Sequence, residues 1–230
     1  MAFSVEVITL VPELWEHLLG AESGLVGKAF ANSTVSLNIR DLRAYGAGVH
    51  RKVDDSPYGG GAGMVLQVEP LHRAISDARA AGGGPVVLLS PRGRRFDQGV
   101  ARELAAGEGI TLVCGRYEGV DERVREYIDY ELSIGDMVLS AGDPAAWCMI
   151  DATVRLLPGV LGNKDSLREE SFAGGALEYP HYSRPASYQG RDVPEVLLSG
   201  NHGAIEAWRE DRSEELTLAL RPDLLKEKKG

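Results

Sequence analysis

The sequence has little that would place the protein in a membrane or outside the cell. No apolar run in its 230 residues approaches the length of a membrane span, and it contains only two cysteines. Cys114 and Cys148 both lie in apolar or nearly apolar stretches, so we predict that both are buried and reduced. Met1–Glu6 places an acid where a secretory signal requires basic residues. These absences predict a cytoplasmic protein with no membrane segment.

Ligand motifs that depend on fixed spacing are also missing. The sequence has no G-x-G-x-x-G after its first strand and no G-x-x-x-x-G-K-S/T, which weakens any prediction of a dinucleotide or nucleoside triphosphate site. Its five histidines lack metal-ligand spacing with the cysteines. We therefore predict no metal site.

Positive charge is scarce, since the formal net charge is −9. Phosphate neutralisation requires cationic surface, so this balance argues mildly against a nucleic-acid partner. Local basic groups nevertheless occur, and on charge alone they are typical of solvated surface: Arg40 and Arg43, His50–Lys52, Arg92, Arg94 and Arg95, and Lys226, Lys228 and Lys229.

What the sequence does contain is an alternation of strands and helices. Val86–Leu89 and Ile110–Val113 are continuous apolar runs, as in strands buried on both faces of a sheet. The alternation predicts an α/β fold with a parallel sheet. The predicted elements, in chain order, are Phe3–Thr9, Pro12–Gly20, Thr34–Ile39, Val68–Ala81, Val86–Leu89, Asp97–Gly107, Ile110–Val113 and Asp143–Leu157.

Three loops that contain glycine, which we call the first, second and third glycine corners, lie at Ser90–Gly93, Gly115–Gly119 and Gly135–Gly142. In a parallel sheet such loops would gather at one edge, where open α/β sheets bind their ligands. The pattern predicts a small-molecule site centred on Ile110–Ala146 and does not choose among nucleotides.

Two other segments are too irregular for sheet connections. Asp41–Gly63 is long and rich in glycine, and its Arg51, Asp54, Asp55 and Tyr58 favour a functional loop over a linker. The polar, glycine-punctuated 159–178 segment reads as an interdomain linker. After it, 204–208, 213–220 and the residues from 224 onward predict a small helical unit.

Six motifs in order make the chain resemble the bacterial tRNA (guanine-N1)-methyltransferases of the SPOUT superfamily. The resemblance extends from the first strand to Leu225. The motifs are Asp54–Met64 (DDSPYGGGAGM), Leu89–Gly93 (LSPRG), Cys114–Arg123 (CGRYEGVDER), Ser133–Ser140 (SIGDMVLS), Arg155–Gly162 (RLLPGVLG) and Val193–His202 (VPEVLLSGNH).

The resemblance implies a fold that periodicity does not reveal. It implies a parallel sheet with a deep trefoil knot on its C-terminal side, and a homodimer whose active sites contain residues of both protomers. The implied domains are a knotted methyltransferase domain at 1–158, a flexible linker at 159–178 and a small helical RNA-binding domain at 179–230.

S-adenosylmethionine is the cofactor that the resemblance implies, bound within the knot. Met137 stands where relatives have tyrosine or a similar residue, a change that a backbone contact would tolerate. The implied contacts are Gly115, Ile134, Gly135, Asp136, Met137, Val138 and Leu139, with Leu89, Ser90, Pro91, Gly93, Tyr117, Glu118, Gly142 and Pro144 nearby.

The resemblance assigns catalysis to Glu170 and Arg155. Glu170 stands where the family has its aspartate base, one methylene shorter, and Glu169 could compete for that role. Arg155 matches the family's catalytic arginine, although by spacing alone it forms an ordinary i,i+4 pair with Asp151. Ser171 is expected beside the base.

The implied substrate is tRNA, methylated at the guanosine immediately 3′ of the anticodon when another guanosine precedes it. Arg51, Asp54, Tyr58 and Ser171 are the predicted substrate-binding residues. Some relatives depend on Mg²⁺, but no ligand cluster in this sequence predicts a site for it. Two alternatives stay open: a SPOUT enzyme with another RNA target, such as a ribose 2′-hydroxyl, and a non-catalytic RNA-binding protein.

Overall fold

The computed structural model describes residues 2–19, 24–162 and 169–226. The chain divides into two compact units, Met1–Gly162 and Asn163–Gly230. Several predicted features lie outside the described residues: the helix end at Gly20, positions 163–168 of the linker, Lys228 and Lys229, and the side chain of Lys226.

The helices and strands alternate through the first unit. Its strands are β1 (Phe3–Thr9), β2 (Val35–Asp41), β3 (Asp54–Asp55), β4 (Val65–Leu66), β5 (Val86–Arg95), β6 (Gly109–Cys114) and β7 (Tyr130–Ser133). Its α-helices are α1 (Pro12–Leu19), α2 (Gly24–Ala31), α3 (Val68–Ala80), α4 (Gln98–Ala105) and α5 (Asp143–Val154), and 3-10 helices cover Leu42–Tyr45 and Glu122–Tyr127.

Five strands form one sheet in the order β2-β1-β6-β5-β7, and every neighbouring pair is parallel. The predicted α/β class with a parallel sheet is therefore confirmed. The register of β5 on β7 shifts between Leu89 and Arg94, so β5 continues beyond the predicted Val86–Leu89 with a bulge. This bulge lies at the first glycine corner.

The sheet is buried on both faces, and most positions of β1 and β6 carry apolar residues. Consecutive residues of a strand point to opposite faces. Accordingly Val7 and Leu112 belong to a core cluster that contains Trp15 and Met149, while their neighbours Ile8 and Val113 belong to a second cluster against α3. All six residues of β6 are buried.

A buried ion pair connects β1 with β2. Arg40 Nε lies 2.6 Å from Glu6 Oε2, and Asn38 also donates to this carboxylate. Burial opposes charge on the guanidinium, but hydrogen bonds to Tyr45 and Glu6 outweigh it, so the pKa of Arg40 is raised. The interpretation of Arg40 as solvated surface was wrong, because its side chain is largely buried in this pair.

The prediction for the cysteines is half right. Cys114 is buried at the end of β6, but Cys148 is exposed on α5. The helical period explains the difference, since Met149, Ile150 and Thr153 occupy the inward face of α5 and leave Cys148 outside. Neither cysteine is in a disulfide. Among the described residues, no helix combines the length and hydrophobicity needed to cross a membrane.

The second unit is small and mainly helical over its described part. It contains a two-stranded hairpin, β8 (Ser187–Tyr188) and β9 (Arg191–Asp192), followed by α6 (Glu195–Leu198), α7 (His202–Leu220) and α8 (Asp223–Lys226). Asn201 caps α7 by accepting a 3.2 Å hydrogen bond from the amide of Ala204. The two short helices predicted at 204–208 and 213–220 are one continuous helix.

Candidate active site

The three glycine corners surround one cavity at the C-terminal ends of β5, β6 and β7. The cavity has a volume of about 370 Å³, within the range of small-molecule sites. The alternation of strands and helices predicted that these corners lie at one edge of the sheet, and in the structure they do. Eleven of the predicted cofactor residues line it: Leu89, Ser90, Pro91, Gly115, Tyr117, Glu118, Ile134, Met137, Val138, Leu139 and Gly142.

Four predicted cofactor residues, Gly93, Gly135, Asp136 and Pro144, are not among the lining residues. A side chain at Gly93 would lie 2.5 Å from the backbone nitrogen of Leu132, so glycine permits the close approach of β5 and β7. Gly135 has a φ of +148°, which favours glycine in this turn. Asp136 and Pro144 are exposed.

Hydrogen bonds join the second corner to the third. The amide of Gly142 donates to the carbonyl of Gly115 across 2.9 Å, and Arg116 forms an antiparallel bridge with Ala141. A Cβ at Gly142 would lie 2.9 Å from Cys114 Cα, whereas one at Gly115 would meet nothing closer than the Leu89 carbonyl at 3.6 Å. Gly142 is therefore needed for packing, while Gly115 faces available space.

A buried carboxylate holds several elements together behind this junction. Asp143 Oδ1 accepts hydrogen bonds from Thr9 Oγ1 at 2.5 Å and from Trp15 Nε1 at 2.9 Å. Burial, with a smaller effect from Asp143, raises the pKa of the neighbouring Cys114 thiol well above its usual value. The start of α5 is thus attached to the ends of β1 and β6, which fixes the position of the third corner.

The long loop before α3 reaches the second corner. The amide of Glu118 donates to the carbonyl of Met64 across 3.0 Å, and the amide of Leu66 donates to the carbonyl of Gly119 across 3.0 Å. Gly63 has a φ of +84°, and a Cβ there would lie 2.6 Å from Glu118 Cγ. The Asp54–Met64 motif therefore adjoins the cavity at its C-terminal end.

The predicted substrate residues of this loop differ in exposure. Asp54 is half-buried and pairs with Leu66 across the β3–β4 ladder. Arg51 is exposed and has a φ of +47° in the turn that precedes the motif. The Tyr58 side chain is fully exposed. Asp54 is thus held in place by strand pairing, whereas Arg51 and Tyr58 are exposed to solvent.

A charged group at the cavity was missed by the sequence analysis. Glu122 lies 3.2 Å from Arg92 and 2.7 Å from Arg125, and hydrogen bonds from these two arginines lower its pKa. Arg125 also pairs with Glu131. The signal available in the sequence was the i,i+3 spacing of Glu122 and Arg125 directly after the second corner.

These pairs reduce the free positive charge of one predicted basic group. Arg92 is engaged with Glu122, and Arg94 lies 3.2 Å from Glu103. Both pairs are exposed, so solvent screens them and each contributes little to stability. Arg92 and Arg94 therefore remain at the surface as partly neutralised cations.

The two predicted catalytic residues belong to different units. Arg155 is half-buried and follows the last turn of α5 in the first unit. Glu170 and Ser171 belong to the second unit, where Ser171 Oγ accepts a 3.0 Å hydrogen bond from the amide of Glu178. The neighbouring Glu169 accepts a hydrogen bond from the Tyr179 hydroxyl at 2.6 Å.

Comparison with known proteins places the chain in a family. The family model described as tRNA (Guanine-1)-methyltransferase TrmD matches residues 3–227. The chain belongs to this family. Because the match includes both units, the family resemblance of the sequence is confirmed over nearly the whole chain.

Three similar proteins are each named tRNA (guanine-N(1)-)-methyltransferase. The one from Desulforudis audaxviator (strain MP104C) is 51% identical over 223 residues, which are 96% of this chain and 89% of that protein. The one from Rhizobium johnstonii is 52% identical over 100% of this chain and 93% of its own length. The one from Anaeromyxobacter sp. (strain Fw109-5) is 54% identical over 96% and 90%.

Membership of the family does not show that this chain has a metal site. Within the described ranges, no group of three or more histidine, cysteine, aspartate or glutamate side chains is arranged to hold a metal ion.

Proposed function

We propose that this protein transfers a methyl group from S-adenosylmethionine to N1 of a guanosine in tRNA, immediately 3′ of the anticodon. The observation that carries the proposal is the cavity enclosed by three glycine corners in a chain of the tRNA (Guanine-1)-methyltransferase family. The target guanosine is the one expected from the family resemblance, with another guanosine before it.

The residues around the cavity fit S-adenosylmethionine. Leu89, Leu132 and Ile134 provide apolar walls for a flat base, and Ser90 and Ser133 provide hydroxyl groups for a sugar. Gly115 leaves backbone groups accessible because it has no side chain to cover them. When bound, S-adenosylmethionine supplies an electrophilic methyl group on a sulfonium. The eleven lining residues named above are the proposed contacts, with Gly93, Gly135, Asp136 and Pro144 supporting the loops.

The chemistry requires the N1 proton of guanine to leave as the new carbon–nitrogen bond forms. Glu170 accepts that proton on a carboxylate oxygen, and Arg155 stabilises the negative charge that builds on the purine. No enzyme nucleophile is needed, because the methyl group would move directly to N1 as its carbon–sulfur bond breaks, and S-adenosylhomocysteine would leave. Glu170 is one methylene longer than the family's aspartate. It therefore reaches the N1 proton from a backbone that lies farther from the guanine.

The protein is proposed to work in the cytoplasm as a homodimer, with the three corners forming the deep knot of the SPOUT class. The apolar side chains exposed around the cavity support this assembly, because a second copy would cover them. They are Tyr117, Met137, Val138 and Leu139. Each site would then combine the cavity of one protomer with residues of the other.

Substrate RNA is proposed to contact Arg51, Asp54, Tyr58 and Ser171, and the helical domain at 179–230, joined through the linker at 159–178. A guanine in a single-stranded loop leaves its stack at modest cost, so it can enter a protein site. Exposed cations such as Arg43 and Arg51 would neutralise phosphates. Because such contacts release counterions from the RNA, we expect binding to weaken as salt concentration rises.

The test is methyl transfer from labelled S-adenosylmethionine to tRNA transcripts by the purified protein. Transcripts with guanosine 3′ of the anticodon should accept label at N1, and transcripts with adenosine there should not. Cofactor binding without transfer would instead support a non-catalytic RNA-binding protein. Label on a ribose 2′-hydroxyl would support a different RNA target.

A further inference from the structure

One face of α7 carries four side chains spaced four residues apart. Arg209, Ser213 and Thr217 lie within the helix, and Arg221 follows it as its C-terminal cap. Residues four apart lie above one another on a helix, so these side chains form a continuous stripe. The stripe faces the segment 169–179, which bears the proposed base.

Hydrogen bonds attach this segment to the middle of the stripe. Thr217 Oγ1 accepts a 2.8 Å hydrogen bond from the amide of Leu177, and Ser213 Oγ donates to the carbonyl of Leu177 across 2.5 Å. Thr217 is fully buried. The amide and the carbonyl of Leu177 are therefore both bonded to α7, which fixes the position of the segment along the helix axis.

The segment also closes on itself between its two ends. The amide of Phe172 donates to the carbonyl of Ala176 across 2.8 Å, and the amide of Glu178 donates to Ser171 Oγ. Phe172 has a φ of +71°. The Arg221 guanidinium lies 5.7 Å from the centre of the Phe172 ring. Residues 171–178 thus form a compact turn that rests on the C-terminal half of α7.

The first residue of the segment is fixed by Tyr179 and Arg209. The Tyr179 hydroxyl donates to Glu169 Oε2 across 2.6 Å, and Arg209 Nη1 lies 3.9 Å from the same oxygen. The Arg209 guanidinium also lies 4.7 Å from the centre of the Tyr179 ring. Glu169, Tyr179 and Arg209 therefore form one contact group, the Glu169 group.

We propose that Tyr179 and Arg209 are positioning residues: by engaging the Glu169 carboxylate they fix the backbone beside it and so orient Glu170, the acid that accepts the N1 proton. This inference rests on the proposed methyl transfer. It deepens that proposal because Glu169 is adjacent to the proposed base, and its contacts with Tyr179 and Arg209 give it a positioning role. Tyr179 and Arg209 act through Glu169 and are not themselves assigned to touch the guanine.

Tyr179 can keep this role across the working pH range. Partial burial, together with the hydrogen bond to Glu169, raises its pKa to about 12. The phenol therefore remains protonated and continues to donate. Tyr179→Phe removes the hydroxyl but keeps the ring against Arg209, so it breaks the contact with Glu169 selectively.

The test measures single-turnover methyl transfer at saturating cofactor and tRNA. A carboxylate misplaced by about 1 Å loses up to 100-fold in rate, so we expect Tyr179→Phe and Glu169→Gln each to slow transfer roughly tenfold. Dissociation constants for S-adenosylmethionine and tRNA should stay within about twofold, since neither binding site is removed. Tyr130→Phe is the matched control, because Tyr130 lies at the end of β7 away from the cavity.

The double variant separates positioning from general structural damage. If Tyr179 acts through Glu169, the two changes together should slow transfer by about 10- to 20-fold, well below the product of roughly 100-fold expected for independent sites. The inference would be overturned if the two rate losses multiply or if Tyr179→Phe transfers at the wild-type rate. It would also be overturned if tRNA binding weakens as much as the rate falls.

Glu170→Gln distinguishes this inference from the proposed function. If wild-type protein transfers the methyl group but Glu169→Gln abolishes transfer and Glu170→Gln does not, Glu169 is the base. The assignment of the Glu169 group is then overturned while the methyltransferase function stands. If wild-type protein transfers no methyl group to tRNA, the proposed function and the inference both fall.

Discussion

The amide of Gly142 donates a 2.9 Å hydrogen bond to the carbonyl of Gly115, which joins two loops far apart in the chain at the wall of the cavity. The two glycines serve different purposes. A side chain at Gly142 would collide with the backbone of Cys114, while a side chain at Gly115 would project into space that the fold leaves open. Stability and ligand binding can therefore be separated at this junction.

Gly142→Ala should destabilise the fold, and Gly115→Val should remove cofactor binding. The added methyl at Gly142 forces backbone to move, which costs about 1–3 kcal/mol in the free energy of unfolding. Gly115→Val should stay within about 1 kcal/mol of wild type because its side chain enters the cavity. Denaturant unfolding and calorimetric titration with S-adenosylmethionine measure the two effects. Normal cofactor affinity in Gly115→Val would contradict the proposed contact.

Arg40→Met should destabilise the protein without weakening tRNA binding by the fully folded fraction. Removing Arg40 leaves the buried Glu6 carboxylate without its cationic partner, which costs about 3–5 kcal/mol. The nearby Arg43 is exposed, so Arg43→Met is the matched control and should change stability by less than about 0.5 kcal/mol. Equal stability of the two variants in denaturant unfolding would refute the structural role of Arg40.

Thr217→Val should loosen the turn that directly follows Glu170. Valine has nearly the shape of threonine but cannot accept the hydrogen bond from the half-buried Leu177, and loss of such a bond costs about 0.5–1.5 kcal/mol. Thr217→Ser keeps the hydroxyl and should protect Leu177 nearly as well as wild type. Amide hydrogen exchange at Leu177 measures the difference. Unchanged exchange in Thr217→Val would mean that the bond does not hold the turn.

The titration of Tyr179 should be displaced upward. Its pKa is about 12 in the folded protein against an ordinary value of 10.0, so the folded state holds the proton more tightly. The stability that the hydroxyl contributes is complete below pH 10 and is lost as pH rises towards 12. The ultraviolet titration of wild type minus that of Tyr179→Phe should show one phenol near pH 12. A difference centred at pH 10 would contradict the contact with Glu169.

The elements that sequence reasoning located are those whose signal is local. β6 is a nearly continuous apolar run, β1 is rich in β-branched residues, and Asp97 caps α4 by accepting from the amide of Val100 at 2.9 Å. The first two glycine corners were found because each directly follows an apolar run, Val86–Leu89 or Ile110–Cys114. For these positions, burial and turn chemistry agree with the pattern in the sequence.

What was missed depends on contacts between distant residues. β7 is short and polar, since Tyr130 and Glu131 precede its one buried residue, Leu132, so only its pairing with β5 defines it as a strand. The partner of Arg40 lies 34 positions away at Glu6. No period in the sequence reveals a pair of that separation.

The central claim is tested most directly by single-turnover methyl transfer with wild-type protein and Glu170→Gln, together with the cofactor dissociation constant of each. Wild type should methylate N1 of the guanosine 3′ of the anticodon. Because loss of a general base costs about 100- to 10,000-fold, Glu170→Gln should be slower by at least about 100-fold with its cofactor affinity unchanged. A wild-type protein that binds S-adenosylmethionine without methylating tRNA, or a Glu170→Gln variant of near wild-type rate, would contradict the account.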